Sequence, residues 1–296
     1  MIAIMGASGH TGRAVADILL KEGQQVRVIG RARDRLQPLI DRGADAAVGD
    51  AADAAFLTRA LRGSDGAYTL MPPDATHPDY RTYQTKVGEA MAKAVRDGGV
   101  KHLVFLSSVG ADQPSGTGPI AGLHEHEQRL RTIPGLNALF LRPGYFFENH
   151  LLSLGLIKHQ GINGSAMAGD LSIAMTATAD IAREAARALR ARDFTGVAVQ
   201  EVLGPRDFTF KETTSILGKA IGRPDLAYVQ FPYDAAFDGM VTMGLSKSMA
   251  SLYVEMSRGF NEGKIKSVEG RNLRNTTPTR FEDFAANVLA PAYRAM

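Results

Sequence analysis

Short apolar runs alternate with amphipathic stretches along the first half of the chain. The apolar runs predict strands at residues 2–5, 25–29, 44–48, 66–71, 101–106 and 137–141. Between them, apolar residues recur at the three- and four-residue spacing of a helix with one buried face. This spacing predicts one helix that begins after Gly12, and further helices at residues 33–42, 52–61, 82–96 and 124–132. Residues 109–120, rich in Gly, Pro and Ser, predict a mobile loop. Strands alternating with helices are typical of the α/β class, in which a parallel sheet carries helices on both faces.

The pattern changes after Arg142. Strands are predicted only at residues 197–203 and 227–231, and helices at 149–159, 178–192, 210–221, 234–244 and 247–260; residues 281–293 close the chain. We expect this half not to continue the sheet. The predicted division is a nucleotide-binding domain at residues 1–150 and a smaller, helix-rich substrate lobe at 151–296.

Three glycines at intervals of three follow the first predicted strand and precede a predicted helix. In a Rossmann unit the first glycine permits a tight turn, the second lets backbone N–H groups approach a pyrophosphate, and the third lets helix and strand pack closely. A glycine-rich turn without a ligand is the alternative, and the flanking strand and helix favour the nucleotide site. The sequence therefore predicts a doubly wound parallel sheet of the Rossmann type. The loop residues expected to contact the cofactor are Gly6, Ala7, Ser8, Gly9, His10, Thr11 and Gly12.

Composition narrows the class of protein. Of the 296 residues, 45% are hydrophobic and 22% are charged, which is typical of a globular protein with one large domain or a domain and a smaller lobe. The absence of cysteine excludes disulfides, thiol nucleophiles and cysteine metal sites. No apolar run approaches the ~18 residues of a membrane span, and a formal charge of +3 is too small to indicate nucleic acid. Because the first strand starts at Ile2, we expect no targeting segment and a cytoplasmic location, with neither membrane nor nucleic acid as a partner.

Five motifs in the first half resemble those of the NmrA-like family, which are atypical short-chain dehydrogenase/reductases with an NAD(P)-binding Rossmann fold. The motifs are Gly-Ala-Ser-Gly-His-Thr-Gly at residues 6–12, Val-Gly-Asp at 48–50, Leu-Met-Pro-Pro at 70–73, Phe-Leu-Ser-Ser at 105–108, and Leu-Arg-Pro-Gly-Tyr-Phe-Phe-Glu-Asn at 141–149. The resemblance implies the fold and the cofactor, and it leaves the substrate open.

The charge after the second strand bears on which nicotinamide cofactor binds. An NAD-preferring site places Asp or Glu there to accept a hydrogen bond from the ribose 2′-hydroxyl, whereas this chain has Arg31, with Arg33 nearby. A guanidinium can bind a 2′-phosphate through two hydrogen bonds, so we expect NADP(H) to be preferred over NAD(H); the alternative is that Arg31 begins an exposed helix. The resemblance implies an adenine contact for Asp50, which would otherwise be a turn residue. Further expected contacts at the strand ends are Leu70, Met71, Pro72, Ser107, Ser108 and Pro143.

The catalytic residues stay open at this point. Short-chain dehydrogenases use Tyr-x-x-x-Lys, in which the tyrosine donates a proton and the lysine lowers its pKa. No lysine of this chain has a tyrosine four positions before it. Candidate proton donors are His124, His126 and Tyr145; the alternatives are exposed helix positions for the histidines and a cleft-lining aromatic for the tyrosine. Two residues apart on a helix, the histidines point away from each other, so we expect no metal site.

Two function classes are compatible with these features. The first is an NADPH-dependent reductase of a conjugated, quinone-like small-molecule acceptor, because delocalisation stabilises the anion that hydride transfer produces. The second is a non-catalytic redox sensor that binds NADP(H) and regulates a protein partner. The helix-rich second half favours the enzyme, because such a lobe can cover a pocket over the nicotinamide.

Overall fold

A computed structural model describes all residues from Met1 to Met296, and it contains twelve strands and twelve α-helices. The strands are β1 Ile2–Met5, β2 Val26–Gly30, β3 Asp45–Val48, β4 Gly66–Leu70, β5 His102–Leu106, β6 Asn137–Pro143, β7 Tyr145–Phe146, β8 Ile162–Ser165, β9 Ser172–Thr176, β10 Val197–Val202, β11 Asp207–Thr209 and β12 Ala227–Gln230. The helices are α1 His10–Lys21, α2 Arg33–Ile40, α3 Ala54–Leu61, α4 Tyr80–Asp97, α5 Ile120–Arg131, α6 Leu154–Gln160, α7 Thr178–Ala191, α8 Phe210–Ala220, α9 Tyr233–Thr242, α10 Lys247–Asn261, α11 Phe281–Phe284 and α12 Ala290–Arg294. A 3₁₀ segment, Phe147–Ser153, precedes α6, and a π-helical segment, Ala285–Leu289, joins α11 to α12.

Seven parallel strands form the central sheet, in the order β10-β6-β5-β4-β1-β2-β3. The chain order reverses beside β1, because β2 pairs with one edge of that strand and β4 with the other. In a doubly wound sheet, ligands bind outside the carboxyl ends of the strands at such a reversal. The predicted doubly wound parallel sheet of the α/β class is confirmed.

Side-chain alternation along the strands divides the core between the two faces of the sheet. In β1, Ile2 and Ile4 pack with α1, α2 and α7, whereas Ala3 and Met5 pack with α3 and α4 on the opposite face. Successive strand residues point to opposite faces, so a strand covered on both sides must be apolar throughout. All four residues of β1 are accordingly buried.

Two segments of the second half belong to the central sheet. β10 pairs in parallel with β6, from Val197 opposite Ala138 to Val202 opposite Pro143. α7 covers the same face as α1, with a buried surface made mostly of alanines that permit a close approach. The expectation that the second half does not continue the sheet is therefore wrong for residues 178–202. The division at residue 150 cuts across this pairing, because the chain returns to the sheet after first leaving it.

The remaining segments of the second half, together with β7 and Phe147, form a lobe with its own apolar core. Phe147, Phe208 and Phe281 lie at its centre, with ring centroids 5.0 to 6.0 Å apart. Two small sheets, ordered β11-β9-β7 and β12-β8, complete the lobe. Of these strands only β12 was expected; β7 and β11 are two and three residues long, too short for a clear alternation, and β8 contains Asn and Gly, which are rare in strands. None of the helices has the length and hydropathy that crossing a bilayer requires.

The turn from β1 into α1 is held by two glycines. Gly6 has a φ of +70°, a left-handed conformation that favours glycine. A Cβ atom added to Gly12 would lie 2.5 Å from the carbonyl oxygen of Gly6, so α1 passes the turn at a distance that only glycine allows. The role expected for the third glycine, close packing of helix and strand, agrees with this distance.

Replacing Gly12 with alanine should destabilise the protein. The added methyl group meets a backbone oxygen that cannot rotate away, and overpacking of this kind costs about 1–3 kcal/mol. The free energy of unfolding, measured by urea denaturation, gives the result directly.

Gly9→Ala is the matched control for that change. Gly9 has an extended backbone, and the nearest atom to an added Cβ, the Gly6 oxygen, is 3.4 Å away. It should lose less stability than the Gly12 variant; equal stability of the two variants would show that the close approach is not a constraint.

Candidate functional site

A cleft of about 880 Å³ opens at the carboxyl ends of the central strands. One side is formed by residues that follow β1, β2, β4, β5 and β6, and the other side by β9, α10 and the segment after α10. The volume lies in the range of cofactor and small-molecule sites. The reversal of chain order beside β1 and the cleft therefore coincide.

The glycine loop lines this cleft at the start of α1. Gly9 is the N-cap residue of α1, and no side chain caps the helix there. The first backbone N–H groups of a helix have no partner within the helix, and they attract anions. Since a Cβ on Gly9 would approach only the Gly6 oxygen, a phosphate group can come close to this backbone. The loop therefore fits a pyrophosphate.

Two arginines lie at the end of the cleft beside β2. Arg31 and Arg35 both line it, and neither forms an ion pair within the protein, while Asp50 lies on the same wall and accepts a hydrogen bond from the Ala52 N–H at 2.9 Å. Arg33 does not line the cleft. Arg33 and Arg35 are two positions apart at the start of α2, so their side chains point in different directions, and only one can face the cleft. Arg35 was not expected from the sequence, because spacing within the first turn of α2 does not show which arginine faces the cleft.

Most of the residues expected to contact a cofactor meet at this cleft. Those that line it are Gly6, Ser8, Gly9, His10, Thr11, Arg31, Asp50, Leu70, Met71, Pro72, Ser107, Ser108 and Pro143. Besides Arg33, Ala7 and Gly12 do not line it. Ala7 is buried in the core with α1 and β1, and Gly12 faces the β1 turn.

The two histidine candidates on α5 lie away from the cleft. His124 contacts the carbonyl oxygen of Ala111 through Nδ1, at 2.9 Å. His126 is fully buried, with its ring edge against Phe105 at a centroid distance of 4.8 Å. Burial lowers the pKa of His126 to about 3, so its ring is neutral around pH 7. His126 is therefore a core residue. It is neither the proton donor that was expected nor the exposed helix residue of the alternative.

The face of α5 that does reach the cleft is apolar. Pro119, Ile120 and Leu123 line it. One turn beyond Leu123 on the same face is Glu127, which is fully buried and bonded within the protein. No titratable side chain of α5 therefore lines the cleft.

Glu127 connects α5 to the ends of two central strands. Its carboxylate accepts one hydrogen bond from Arg142 Nε at 2.9 Å and a second from Nη2 of the same guanidinium at 2.6 Å. It also accepts one from the Ser107 hydroxyl at 2.6 Å. Since Ser107 lines the cleft, this bidentate ion pair fixes part of its floor. Sequence reasoning missed this cluster, because ordinary Glu and Arg residues give no sign of being paired.

Tyr145 lines the cleft, as a candidate for catalysis should. Its ring packs against Phe210 and His150 at centroid distances of 5.4 and 5.9 Å. Burial raises the pKa of the Tyr145 hydroxyl, so it is a weaker acid than an ordinary tyrosine. The position agrees with the alternative of a cleft-lining aromatic.

The lobe supplies cleft residues that were not expected. Tyr253, Met256 and Phe260 of α10 line the cleft, together with Leu171 and Ile173 at β9. The apolar stripe of α10 at this spacing is visible in the sequence, but the stripe alone does not distinguish a core face from a cleft face.

The loop after β5 is covered by the lobe. Val109, Gly110, Ala111, Thr117 and Gly118 are buried. A Cβ on Gly118 would lie 2.1 Å from the carbonyl oxygen of Leu252 in α10, so the loop and the helix are in close backbone contact. The composition that predicted a mobile loop instead permits this approach, because glycine leaves room for the neighbouring helix.

Comparison with known proteins agrees with the fold and the motifs. The chain matches the NmrA-like family over residues 1–285, and it belongs to that family. The expected resemblance is thereby confirmed.

Two curated relatives and one solved structure are similar to this chain over most of their length. The (4-alkanoyl-5-oxo-2,5-dihydrofuran-3-yl)methyl phosphate reductase of Streptomyces griseus is 35% identical over 237 residues, which are 80% of this chain and 79% of the relative. The NAD(P)H azoreductase of Xenophilus azovorans is 28% identical over 258 residues, or 86% of each chain. The crystal structure of an NADPH-dependent quinone oxidoreductase from Escherichia coli, in complex with NADPH, has a TM-score of 0.82 at 24% identity and covers 98% of this chain and 100% of that one. At that identity the structural likeness shows the fold.

Proposed function

We propose that the chain is an NADPH-dependent reductase of conjugated small-molecule acceptors, such as quinones, and that it acts without a tyrosine–lysine pair. The apolar wall that α5 presents to the cleft is the observation that carries this proposal. Pro119, Ile120 and Leu123 form the wall, and the next polar group on that face, Glu127, is bonded to Arg142. An acceptor held against this wall receives no proton from α5.

The cofactor would lie along the strand ends. The uncapped start of α1 at Gly9 would bind the pyrophosphate, and Arg31 and Arg35 would bind the 2′-phosphate. The backbone after β4 and Ser107 after β5 would then flank the nicotinamide side. NADPH bound in this way supplies a hydride to a neighbouring acceptor.

The acceptor would lie between the α5 wall and the lobe. Tyr145, Tyr253 and Met256 give that side of the cleft an apolar and aromatic lining, which suits a flat conjugated molecule. The reduced form of such an acceptor spreads its negative charge over the ring system, so it can take a proton from water. A simple ketone would form a localised alkoxide, for which a positioned acid contributes about 10²–10⁴ in rate.

The names of the two curated relatives support this class of acceptor. The name of the Streptomyces griseus relative describes a ring double bond conjugated with carbonyl groups. The Xenophilus azovorans relative is named for azo substrates. In both molecules the bond to be reduced is activated by its own substituents.

A panel of acceptors tests the proposal by NADPH oxidation. Quinones, enones and azo dyes should be reduced, whereas unactivated ketones should not, because the α5 wall carries no acid that could protonate an alkoxide. Replacing His124, His126 or Tyr145 singly should lower quinone reduction less than tenfold, apart from any loss of folded protein. Tight NADP(H) binding without turnover of any acceptor would favour the redox sensor instead. A pH-dependent ketone reductase activity that one of these replacements abolishes would contradict the proposal.

Arg31 should determine the preference for the phosphorylated cofactor. Loss of a charge-assisted contact costs about 1.5–3 kcal/mol, or roughly one to two decades in affinity. Arg31→Ala should therefore weaken NADPH binding by that factor and leave NADH binding almost unchanged. Equilibrium titrations with both cofactors measure this.

Arg33→Ala provides the control for Arg31→Ala. It removes the same charge from a nearby exposed position that does not line the cleft. It should change NADPH binding much less; equal losses in the two variants would mean that only the general positive charge of this region matters.

A further inference from the structure

The lobe side of the cleft contains a single charged side chain without a partner, Lys266. Two carboxylates also line this side, and both are engaged. Glu148 accepts hydrogen bonds from the N–H of Thr178 at 3.1 Å and from its hydroxyl at 2.6 Å. Asp207 is paired with Arg271. The lysines that form ion pairs are Lys93 and Lys211, so Lys266 brings a free positive charge to the cleft.

The backbone on both sides of Lys266 is fixed. Before it, Ile265 is buried and packs against Gly110 of the loop after β5. After it, the Ser267 hydroxyl and the Val268 N–H, the latter at 2.8 Å, donate to the carboxylate of Glu201. Glu201 is itself buried in β10. The segment is therefore anchored to the loop on one side and to the central sheet on the other.

The surroundings of Lys266 limit what it could bind. Its neighbours Ile265 and Ser267 also line the cleft, and the same lobe side carries the apolar residues Phe260 and Ile173. The arginines expected to bind the cofactor phosphates follow β2, and four strands of the sheet lie between β2 and β10. An anion that pairs with Lys266 therefore belongs to the acceptor rather than to the adenosine end of the cofactor.

We infer that Lys266 recognises an anionic substituent on the acceptor, so that the preferred substrates are conjugated molecules carrying a sulfonate, carboxylate or phosphate group. This inference rests on the proposed function and specifies the substrate class of the same cleft. The apolar lining binds the conjugated rings, and Lys266 pairs with the charge at their edge. Fixing the lysine backbone beforehand lowers the entropy cost of forming that pair.

A kinetic comparison of two acceptors tests the pairing. The probes are 9,10-anthraquinone-2-sulfonate and the neutral 2-(hydroxymethyl)-9,10-anthraquinone, and the measured quantity is the ratio of their kcat/KM values, which removes effects common to both. Lys266→Gln should lower the sulfonate-to-neutral ratio about fivefold, as expected for a partly exposed ion pair. Lys266→Glu should lower it further, because the repulsion replaces the attraction. Added salt should lower the ratio in the parent protein and hardly affect it in Lys266→Gln.

Lys264→Gln is the control for Lys266→Gln. Lys264 is also exposed and carries the same charge two positions away, but it lies beside Gly116 and does not line the cleft. The sulfonate-to-neutral ratio of kcat/KM in Lys264→Gln should equal that of the parent protein. An equal fall in kcat/KM for both acceptors in Lys266→Gln, or an equal change of ratio in the two glutamine variants, would overturn the inference.

A binding measurement keeps this test independent of turnover. Calorimetric titration of the NADP⁺-saturated protein with 2-naphthalenesulfonate and with 2-naphthol compares a charged with a neutral ring system. The sulfonate should bind more tightly to the parent, and this advantage should disappear in Lys266→Gln. An advantage that persists in Lys266→Gln, or is absent in the parent, overturns the inference. If neither quinone is reduced but the sulfonate advantage depends on Lys266, the proposed reductase function fails while the anion site stands.

Discussion

The close passage of α1 over the turn that follows β1 is the contact on which the site depends. Gly12 lies so near the Gly6 carbonyl that no side chain fits between them. This contact brings the start of α1, with its uncapped N–H groups at Gly9, to the carboxyl end of the central strand. The chain order of the sheet reverses beside that strand, which leaves room for the cleft. A backbone contact between two glycines thus sets the position of the expected phosphate site.

The second half of the chain contributes to the site in two different ways. β10 extends the central sheet, α7 covers one face of it, and Glu201 of β10 holds the segment that carries Lys266. The rest forms the lobe, and α10 closes over the loop that follows β5. The cleft therefore has a wall at the sheet with the features of a nucleotide site and a wall at the lobe that is largely apolar. On the proposed function, substrate specificity would reside in the second wall.

The sequence predicted the features that depend on local spacing. The glycine loop, the order of strands in the first half and the strand-end residues at Leu70 and Ser107 need only periodicity and the rule that parallel strands end at one edge. Features that depend on distant partners were not predictable. β10 looks like any short strand until its pairing with β6 is seen, and His126 looks exposed until Phe105 is found against it. Arg33 and Arg35 lie in the same first turn of α2 and differ only in the direction in which their side chains point. Their spacing alone does not show which of the two faces the cleft.

On the proposed function, this cleft reduces an acceptor whose own conjugation makes a protein acid unnecessary; its α5 wall is apolar, and Glu127 is bonded to Arg142 and Ser107. Deuterium isotope effects on single-turnover quinone reduction test that claim most directly, because they separate chemistry from product release. We predict a primary isotope effect with NADPH deuterated at the transferred position, together with a solvent isotope effect near unity and little dependence on pH around neutrality. A large solvent isotope effect with a bell-shaped pH profile would contradict the account, because it would show that a titrating group of the protein transfers a proton in the rate-determining step.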